Sequence, residues 1–376
     1  MSAMTEAVTG PGPAPGRLPA LEPTYEGDFV LDQHLMLESG RTLAQATLHY
    51  AVYGRLNAER DNAVLVCHAL SGSARVGDWW PEIFAPGAVL SLEHDFVICI
   101  NLLGSCYGST GPGSVDPETG LVYGPDFPLV SIRDNVRAQA QLIGSLGIER
   151  LRLILGGSIG GMQALEWAIH DPARVERAAI IAVAPLSAMG LALNHLQRQA
   201  IQNDPDWDSG YYLPQRQPRL GLSLARQIGM LSYKSATLFD ERFSRNPNRN
   251  GENPWSLDNH GGGLIGGRFD IAGYLDHQGE RFIQRFDANA YLAILRTMDT
   301  WDPLNGQSAE DAFSRIRARL IFIGISSDWL FPPESVREFA GLIRSAGVPA
   351  EYREMASSHG HDAFLAEQTE LLRLLQ

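Results

Sequence analysis

The sequence has few cysteines, few charged residues and a marked excess of acidic over basic side chains. Only 3 of its 376 residues are cysteines (Cys67, Cys99 and Cys106), and charged residues make up 19%. An odd number of cysteines without metal-site spacing argues against a disulfide framework, so we expect no bound metal and a reducing, cytoplasmic location. The formal net charge of −13 argues against a general affinity for nucleic acid or acidic membranes.

Long hydrophobic runs and the common phosphate-binding loop are also missing. No apolar run approaches the ~18 residues that cross a bilayer, and there is no Gly-x-x-x-x-Gly-Lys motif. Residues 1–23 are rich in Pro, Gly and Ala and lack the continuous apolar segment of a secretory signal. We therefore predict a disordered tail over residues 1–23 and no membrane association.

The remaining chain alternates between buried apolar runs and helical patterns. The predicted strands are Ala63–Leu70, Asp95–Gly104, Arg150–Leu155, Arg177–Pro185, Arg319–Leu330 and Ala350–Met355. The predicted helices are Ser131–Ile148, Met162–His170 and Pro333–Gly347, with a closing helix after His361. Strands that alternate with helices predict a mostly parallel sheet covered on both faces.

The pattern changes between residues 187 and 302, where the chain reads as helical and irregular. This segment includes the Gly/Asn-rich stretch 245–267, for which we expect high mobility. We predict a core formed by residues 24–186 and 303–376, interrupted by a helical lid over residues 187–302.

Ser158 lies in a run of four glycines between a predicted strand and a predicted helix. Gly156-x-Ser158-x-Gly160 in this context is typical of the nucleophile elbow of the α/β-hydrolase fold, where glycines permit a turn that side chains would block. A glycine-rich strand-to-helix turn or a dinucleotide loop is the alternative. The context favours the elbow, with Ser158 as the nucleophile.

A serine nucleophile needs a base that a carboxylate orients, and this fold supplies them in the order serine, acid, histidine. Asp328 follows LIFIGIS (residues 320–326), the apolar part of a predicted strand, and His361 precedes the last helix. Taken singly, Asp328 could be a helix cap and His361 a solvated histidine, but their order favours catalytic roles. His359 is the rival base.

Acyl chemistry also needs donors for the developing oxyanion. We predict that they are the backbone N–H of Ile159, directly after the serine, and that of Leu70, in the loop after an early strand. His68, at the end of that strand, is expected to be structural.

Several segments together resemble the homoserine O-acetyltransferase family of the α/β-hydrolase fold, from about Asp28 to the C-terminus. They are CHALSG, GDWW, FVICINLLGSCYGSTGP, YGPDFPLVSIRD, GGSIGGMQALEWA, YLDHQGERFIQRFDANAYL, SDWLFPP and GHDAFL. The resemblance implies an α/β-hydrolase fold with a mostly parallel sheet flanked by helices and a helical lid insertion. It also implies Ser158 as nucleophile, Asp328 as acid and His361 as base.

The activity that this resemblance implies is transfer of an acetyl group from acetyl-CoA to the side-chain hydroxyl of L-homoserine, a step toward methionine. Acetyl-CoA would be a co-substrate, with no bound cofactor, and the family is usually homodimeric. In GLSLAR the resemblance implies Arg226 as a substrate ligand, and after His361 it implies Asp362 as the partner of the substrate ammonium. Without the resemblance, the sequence favours a surface position for Arg226 on an amphipathic helix and, for Asp362, a carboxylate in the first turn of a helix.

Other activities stay open at this point. An enzyme that uses a succinyl donor or a serine acceptor would differ only in its binding pocket. Ser73 and Arg75 lie at positions where the family varies, in a loop beside the acyl site. A hydrolytic esterase would share the serine, histidine and aspartate but need no amino-acid clamp. A non-catalytic binding protein is disfavoured because all three residues are present.

Overall fold

The computed structural model describes residues 20–255 and 267–376. Residues 1–19 of the predicted tail and 256–266 of the Gly/Asn-rich stretch lie outside the described residues. Within the two described ranges, no helix is both long enough and apolar enough to cross a membrane.

Eight strands in the described part of the chain form one sheet, in the order β1-β4-β6-β5-β7-β8-β9-β10. They are β1 (Tyr25–Val30), β4 (Thr47–Gly54), β5 (Ala63–Cys67), β6 (Phe96–Ile100), β7 (Leu151–Gly157), β8 (Arg177–Ile181), β9 (Arg319–Ile325) and β10 (Ala350–Met355). The β1–β4 and β4–β6 pairs are antiparallel and the other five pairs parallel, so the predicted mostly parallel sheet is confirmed. The short strands β2 (Leu35–Met36) and β3 (Thr42–Leu43) form a separate antiparallel pair.

The helices of the core follow the predicted pattern. They are α1 (Val76–Trp79), α2 (Ile132–Ser145), α3 (Ile159–His170), α9 (Ala309–Phe313), α10 (Pro333–Ser345), α11 (Ala363–Ala366) and α12 (Gln368–Leu375). Ser131 caps the start of α2, in a capping box with Asp134. The predicted closing helix is two segments, α11 and α12, and α3 begins directly after Ser158, three residues earlier than predicted.

The sheet is buried on both faces. Along β5 the side chains alternate: Leu65 and Cys67 pack in the apolar cluster that contains α2 and α3, while Val64 and Val66 pack in the cluster that contains α12. A strand buried on both faces has no polar side, which explains why its sequence is a continuous apolar run.

The described part of residues 187–302, the segment for which we predict a lid, contains five α-helices. They are α4 (Ala188–Gln202), α5 (Arg219–Tyr233), α6 (Ala236–Arg242), α7 (Asp270–Phe282) and α8 (Ala288–Asp299). The division of the chain into core and lid stays a prediction.

Parallel strands present their carboxyl ends at one edge of the sheet, where this fold places its functional groups. Leu70 follows β5, Ser158 follows β7, Asp328 follows β9 and His361 follows β10. The topology therefore gathers residues that are up to 291 positions apart (Leu70 and His361), since β5, β7, β8, β9 and β10 are successive neighbours in the sheet.

Candidate active site

Ser158 occupies a strained turn between β7 and α3. Its backbone has φ 57° and ψ −132°, a conformation that residues with side chains rarely adopt. The N–H of Ser158 donates to the carbonyl of Ile181 at 2.9 Å, which ties the turn to the neighbouring strand. The residue is 6% exposed, and it lines a cavity.

The glycines around Ser158 are required by close backbone approaches. A Cβ on Gly160 would lie 2.2 Å from the carbonyl oxygen of Cys67, and one on Gly156 would lie 2.5 Å from the carbonyl carbon of Gly160. A Cβ on Gly157 would lie 2.5 Å from the Phe364 ring. The glycines thus let α3 begin against the end of β5. This close contact explains why glycines occur here although each one weakens a strand or a helix.

Asp328 and His361 form a buried pair. Nδ1 of His361 donates to Oδ2 of Asp328 at 2.7 Å, and the side chains are 3% and 0% exposed, respectively. The other carboxylate oxygen of Asp328 accepts from the N–H groups of Leu330 and Phe331 at 2.9 and 3.0 Å. The carboxylate is therefore fully oriented, and it fixes the imidazole tautomer that leaves Nε2 unprotonated.

The free nitrogen of His361 has the properties of a general base. Nε2 is buried and makes no hydrogen bond with the described part of the protein. Burial by itself lowers the pKa of His361, but the Asp328 carboxylate outweighs it and raises this pKa above its ordinary value. The ring is held between aromatic neighbours, with Phe331 at 5.3 Å and Phe364 at 5.7 Å between ring centroids.

The predicted oxyanion donors belong to the residue directly after Ser158 and to a loop residue that lines the same cavity. Ile159 is the first residue of α3, so its N–H has no acceptor within the helix. Leu70 lies in the loop that the start of α3 touches through Gly160, and it lines the same cavity as Ser158. The role of these two N–H groups as oxyanion donors stays a prediction.

His68 is a neutral, fully hydrogen-bonded residue, as expected for a structural histidine. Its Nε2 accepts from the N–H of Leu102 at 3.2 Å, and its Nδ1 lies 2.8 Å from the carbonyl of Ala69. Burial lowers its pKa to about 4. The imidazole therefore joins the loop after β5 to the loop after β6.

Most of the predicted site residues line one cavity of ≈ 90 Å³. Leu70, Ser158, Arg226, His361 and Asp362 are all in its wall. Asp328 lies behind His361, and Ile159 directly follows Ser158. The structure thus brings the whole predicted set to one place, including an arginine from α5.

Arg226 reaches the cavity with an unpaired charge. Its guanidinium lies 4.9 Å from the Phe282 ring centroid and 5.6 Å from that of Tyr233. In the described ranges it forms no ion pair and no hydrogen bond. A half-buried arginine without a counter-ion is suited to an incoming carboxylate.

Asp362 already has a cationic partner. Its Oδ2 lies 2.9 Å from Nζ of Lys234, the single lysine of the chain, and the two side chains are 20% and 14% exposed. Lys234 directly follows α5, so the lid and the His361 loop meet at this ion pair. The sequence did not suggest this contact, because a lone lysine after a helix carries no signal of its partner.

Sequence reasoning also missed a polar group in the cavity wall. Asn194 and Gln197, one turn apart on α4, both line the cavity, and Gln197 Nε2 donates to Asn194 Oδ1 at 3.2 Å. Asn194 donates in turn to Asp299 at 2.7 Å, and Tyr291 donates to Gln197. In the sequence, these two amides do not stand out, because α4 also contains His195, Arg198 and Gln199.

Within residues 20–255 and 267–376 there is no group of three or more His, Cys, Asp or Glu side chains that could hold an ion. Cys67, Cys99 and Cys106 are all free thiols.

The fold and the strained serine beside a buried histidine–aspartate pair define a protein of the α/β-hydrolase class. Residues 62–368 match the family described as alpha/beta hydrolase fold. The chain is 43% identical to the homoserine O-acetyltransferase of Geotalea daltonii over 91% of this chain and 94% of that protein. It is also 43% identical to the homoserine O-succinyltransferase of Alkalilimnicola ehrlichii, over 89% of each.

A solved structure agrees with these relatives. The crystal structure of homoserine O-acetyltransferase from Bacillus anthracis superposes with a TM-score of 0.84 at 27% identity, covering 94% of this chain and 96% of that one. The chain belongs to the homoserine O-acetyltransferase family and is an acyltransferase.

Proposed function

We propose that this enzyme transfers an acetyl group from acetyl-CoA to the hydroxyl of L-homoserine. The observation that carries the proposal is the single cavity that Ser158, His361, Arg226 and Asp362 share. An acyl-enzyme nucleophile and an amino-acid clamp in one cavity suit a transferase, because a hydrolase needs no clamp for an ammonium and a carboxylate.

In the first half-reaction, Nε2 of His361 takes the proton of Ser158 and the serine oxygen attacks the thioester carbonyl. The N–H groups of Leu70 and Ile159 stabilise the negative charge that develops on the carbonyl oxygen. The thiolate of CoA leaves with the proton from His361, and an acetyl-serine remains.

In the second half-reaction, L-homoserine enters with its carboxylate on Arg226 and its ammonium on Asp362. His361 removes the proton of the substrate hydroxyl, whose oxygen attacks the acetyl-serine. Collapse of this intermediate breaks the serine ester bond and returns the proton to Ser158. The lid helices restrict the entry of water, which would otherwise hydrolyse the acyl-enzyme.

A succinyl donor is the second candidate, because the relative from Alkalilimnicola ehrlichii is named a homoserine O-succinyltransferase at the same 43% identity. The test crosses acetyl-CoA and succinyl-CoA with L-homoserine and L-serine in a steady-state assay. We expect turnover with acetyl-CoA and L-homoserine, and none by Ser158→Ala. Ester hydrolysis that does not depend on L-homoserine would instead indicate an esterase.

We further propose that the enzyme is a homodimer that joins through its lid helices. Leu220, Leu224 and Leu231 are 77%, 50% and 43% exposed, and their spacing puts them on one face of α5. Met189 and Leu196 on α4, which packs against α5, are 59% and 53% exposed. A contiguous apolar patch of this kind marks an interaction surface, and a second copy offers a matching one.

The reaction product is an activated amino acid, and we place the enzyme in cytoplasmic methionine biosynthesis. The relatives named homoserine O-acetyltransferase support the pathway. Three free thiols, two of them buried, are compatible with a reducing compartment.

A further inference from the structure

The corner between α7 and α8 contacts the loop that carries Leu70. Nη1 of Arg285, in this corner, donates to the carbonyl of Ser71 at 2.9 Å. The same nitrogen donates to the hydroxyl of Tyr107, which lies in the loop after β6. One side chain of the lid segment thus holds the residue next to Leu70 and also a second loop of the core.

A second contact fixes the position of this corner. The ring of Phe286 packs edge-on against Tyr107, with 5.7 Å between the ring centroids, and Phe286 is buried. The thiol of Cys106 lies 3.8 Å from the carbonyl of Arg285. The backbone on either side of the Arg285 side chain is therefore anchored to the core.

The core fixes the same loop at its two ends. His68 at its start accepts a hydrogen bond from Leu102, and the N–H of Ala74 at its end donates to Asn101 at 2.6 Å. Asn101 also donates to the carbonyl of Tyr107. Between these ends, Trp79 Nε1 donates to the carbonyl of Ser73 at 3.0 Å, and Arg285 holds the carbonyl of Ser71, the residue next to Leu70.

The guanidinium of Arg285 makes its hydrogen bonds with the Ser71 carbonyl and the Tyr107 hydroxyl. In the parts of the chain that the structure describes, Arg285 forms no ion pair with a carboxylate, although its side chain is exposed. Its guanidinium lies 5.1 Å from the centroid of the Phe282 ring, the same ring that Arg226 approaches at 4.9 Å. Two arginines of the lid segment, one in the cavity and one at the loop, therefore share one aromatic support.

We propose that Arg285 is a positioning residue, which holds the Leu70 loop in the geometry of the oxyanion hole and links that geometry to the seating of the lid. This inference rests on the proposed function, in which the Leu70 N–H is an oxyanion donor. Loss of the guanidinium frees the middle of the loop while its ends stay fixed. Removing one oxyanion donor lowers kcat by about 10²–10³-fold. A donor that is only displaced keeps part of its effect, so we expect its displacement to lower the rate by about tenfold.

The test is Arg285→Met, assayed with acetyl-CoA and with p-nitrophenyl acetate, which lacks the CoA moiety. We expect the rate of Ser158 acylation to fall about tenfold with both donors, while the KM for L-homoserine changes little. The affinity for a boronic acid that adds to Ser158, which mimics the tetrahedral intermediate, should fall by a similar factor. Arg281→Met is the matched control, because Arg281 is an exposed arginine in the last turn of α7, four residues before Arg285.

A loss confined to acetyl-CoA would overturn the proposal and assign Arg285 to the nucleotide end of CoA. A lower melting temperature with unchanged acylation and boronate affinity would overturn it in favour of a purely structural role. Tyr107→Phe, which removes the other partner of Arg285, should show a smaller loss of the same kind and serves if Arg285→Met does not fold. Ser158→Ala, run in parallel, reports separately on the proposed nucleophile.

Discussion

His359 and His361 lie on either side of Gly360 and pair with different carboxylates. Nδ1 of His361 donates to Asp328 in the buried site, whereas Nδ1 of His359 contacts Glu367, between α11 and α12. Only His361 of these two is in the wall of the cavity that contains Ser158. The two histidines therefore have different environments. His361 is placed for proton transfer, whereas His359 links its loop to Glu367.

We expect His361→Ala to abolish transfer and His359→Ala to retain substantial activity. Removing a base from a serine triad costs on the order of 10³-fold or more in kcat, because the nucleophile is no longer activated. The measurement is steady-state turnover together with a melting temperature for each variant. The opposite pattern would make His359 the base and require a different orientation of the Ser158 loop.

The dependence of acylation on pH should report the His361 pKa. Because Asp328 raises this pKa above 6.5 and the base must be neutral, kcat/KM should fall as the pH drops through a midpoint above 6.5. In Asp328→Asn, burial remains without the carboxylate, so the midpoint should move to lower pH while activity falls by about 10⁴-fold. A midpoint that does not move would exclude Asp328 as the group that sets this pKa.

Arg226→Ala should spare the first half-reaction and impair the second. One equivalent of CoA should still be released in a burst, because the acetyl-enzyme forms without the amino-acid clamp. Loss of one partner of a desolvated charge pair costs ~2–5 kcal/mol, or roughly 30- to 4,000-fold in kcat/KM for L-homoserine. Lysine should rescue poorly, since it lacks the two-pronged geometry. If the burst disappears and the homoserine dependence is unchanged, Arg226 serves CoA or the fold.

Gly160→Ala should destabilise the protein. The new Cβ would lie 2.2 Å from the Cys67 carbonyl, and overpacking of this kind costs ~1–3 kcal/mol in the free energy of unfolding. Gly341→Ala in α10 is the control, because no atom lies within 4 Å of its Cβ position and alanine favours a helix by ~0.5–1 kcal/mol. Urea denaturation measures both, and equal stability of the two variants would contradict the tight contact at Gly160.

Leu220→Asp combined with Leu224→Asp should convert a dimer to a monomer. Burying a leucine contributes ~1.5–3 kcal/mol, and each aspartate would also place a charge in the proposed interface. Sedimentation velocity measures the result, with Leu342→Asp, at an exposed leucine of α10 (38%), as the control. A wild-type monomer, or a dimer that survives the double substitution, would contradict the lid interface.

Much of the core could be predicted from local patterns. The strands that precede Ser158 and Asp328 are continuous apolar runs because both faces of the sheet are covered. β7 and β9 overlap the predicted strands, although β9 ends at Ile325, five residues before the predicted end at Leu330. The glycines around Ser158 also carry a local signal, since a sharp strand-to-helix turn excludes side chains. For Arg226 and Asp362, only the resemblance to a family indicated a role, because an arginine on an amphipathic helix and an aspartate beside a helix are common on surfaces.

The tertiary structure decided which side chains meet. No sequence pattern pairs Lys234 with Asp362, sets Arg285 against the Ser71 carbonyl or brings Asn194 into the cavity wall. These contacts depend on how the helices after β8 pack over the carboxyl edge of the sheet. Periodicity specifies which face of each helix is buried, but not which distant residues it meets. Hydrogen bonds and ion pairs form over about 3 Å, so they are set only when the whole chain is packed.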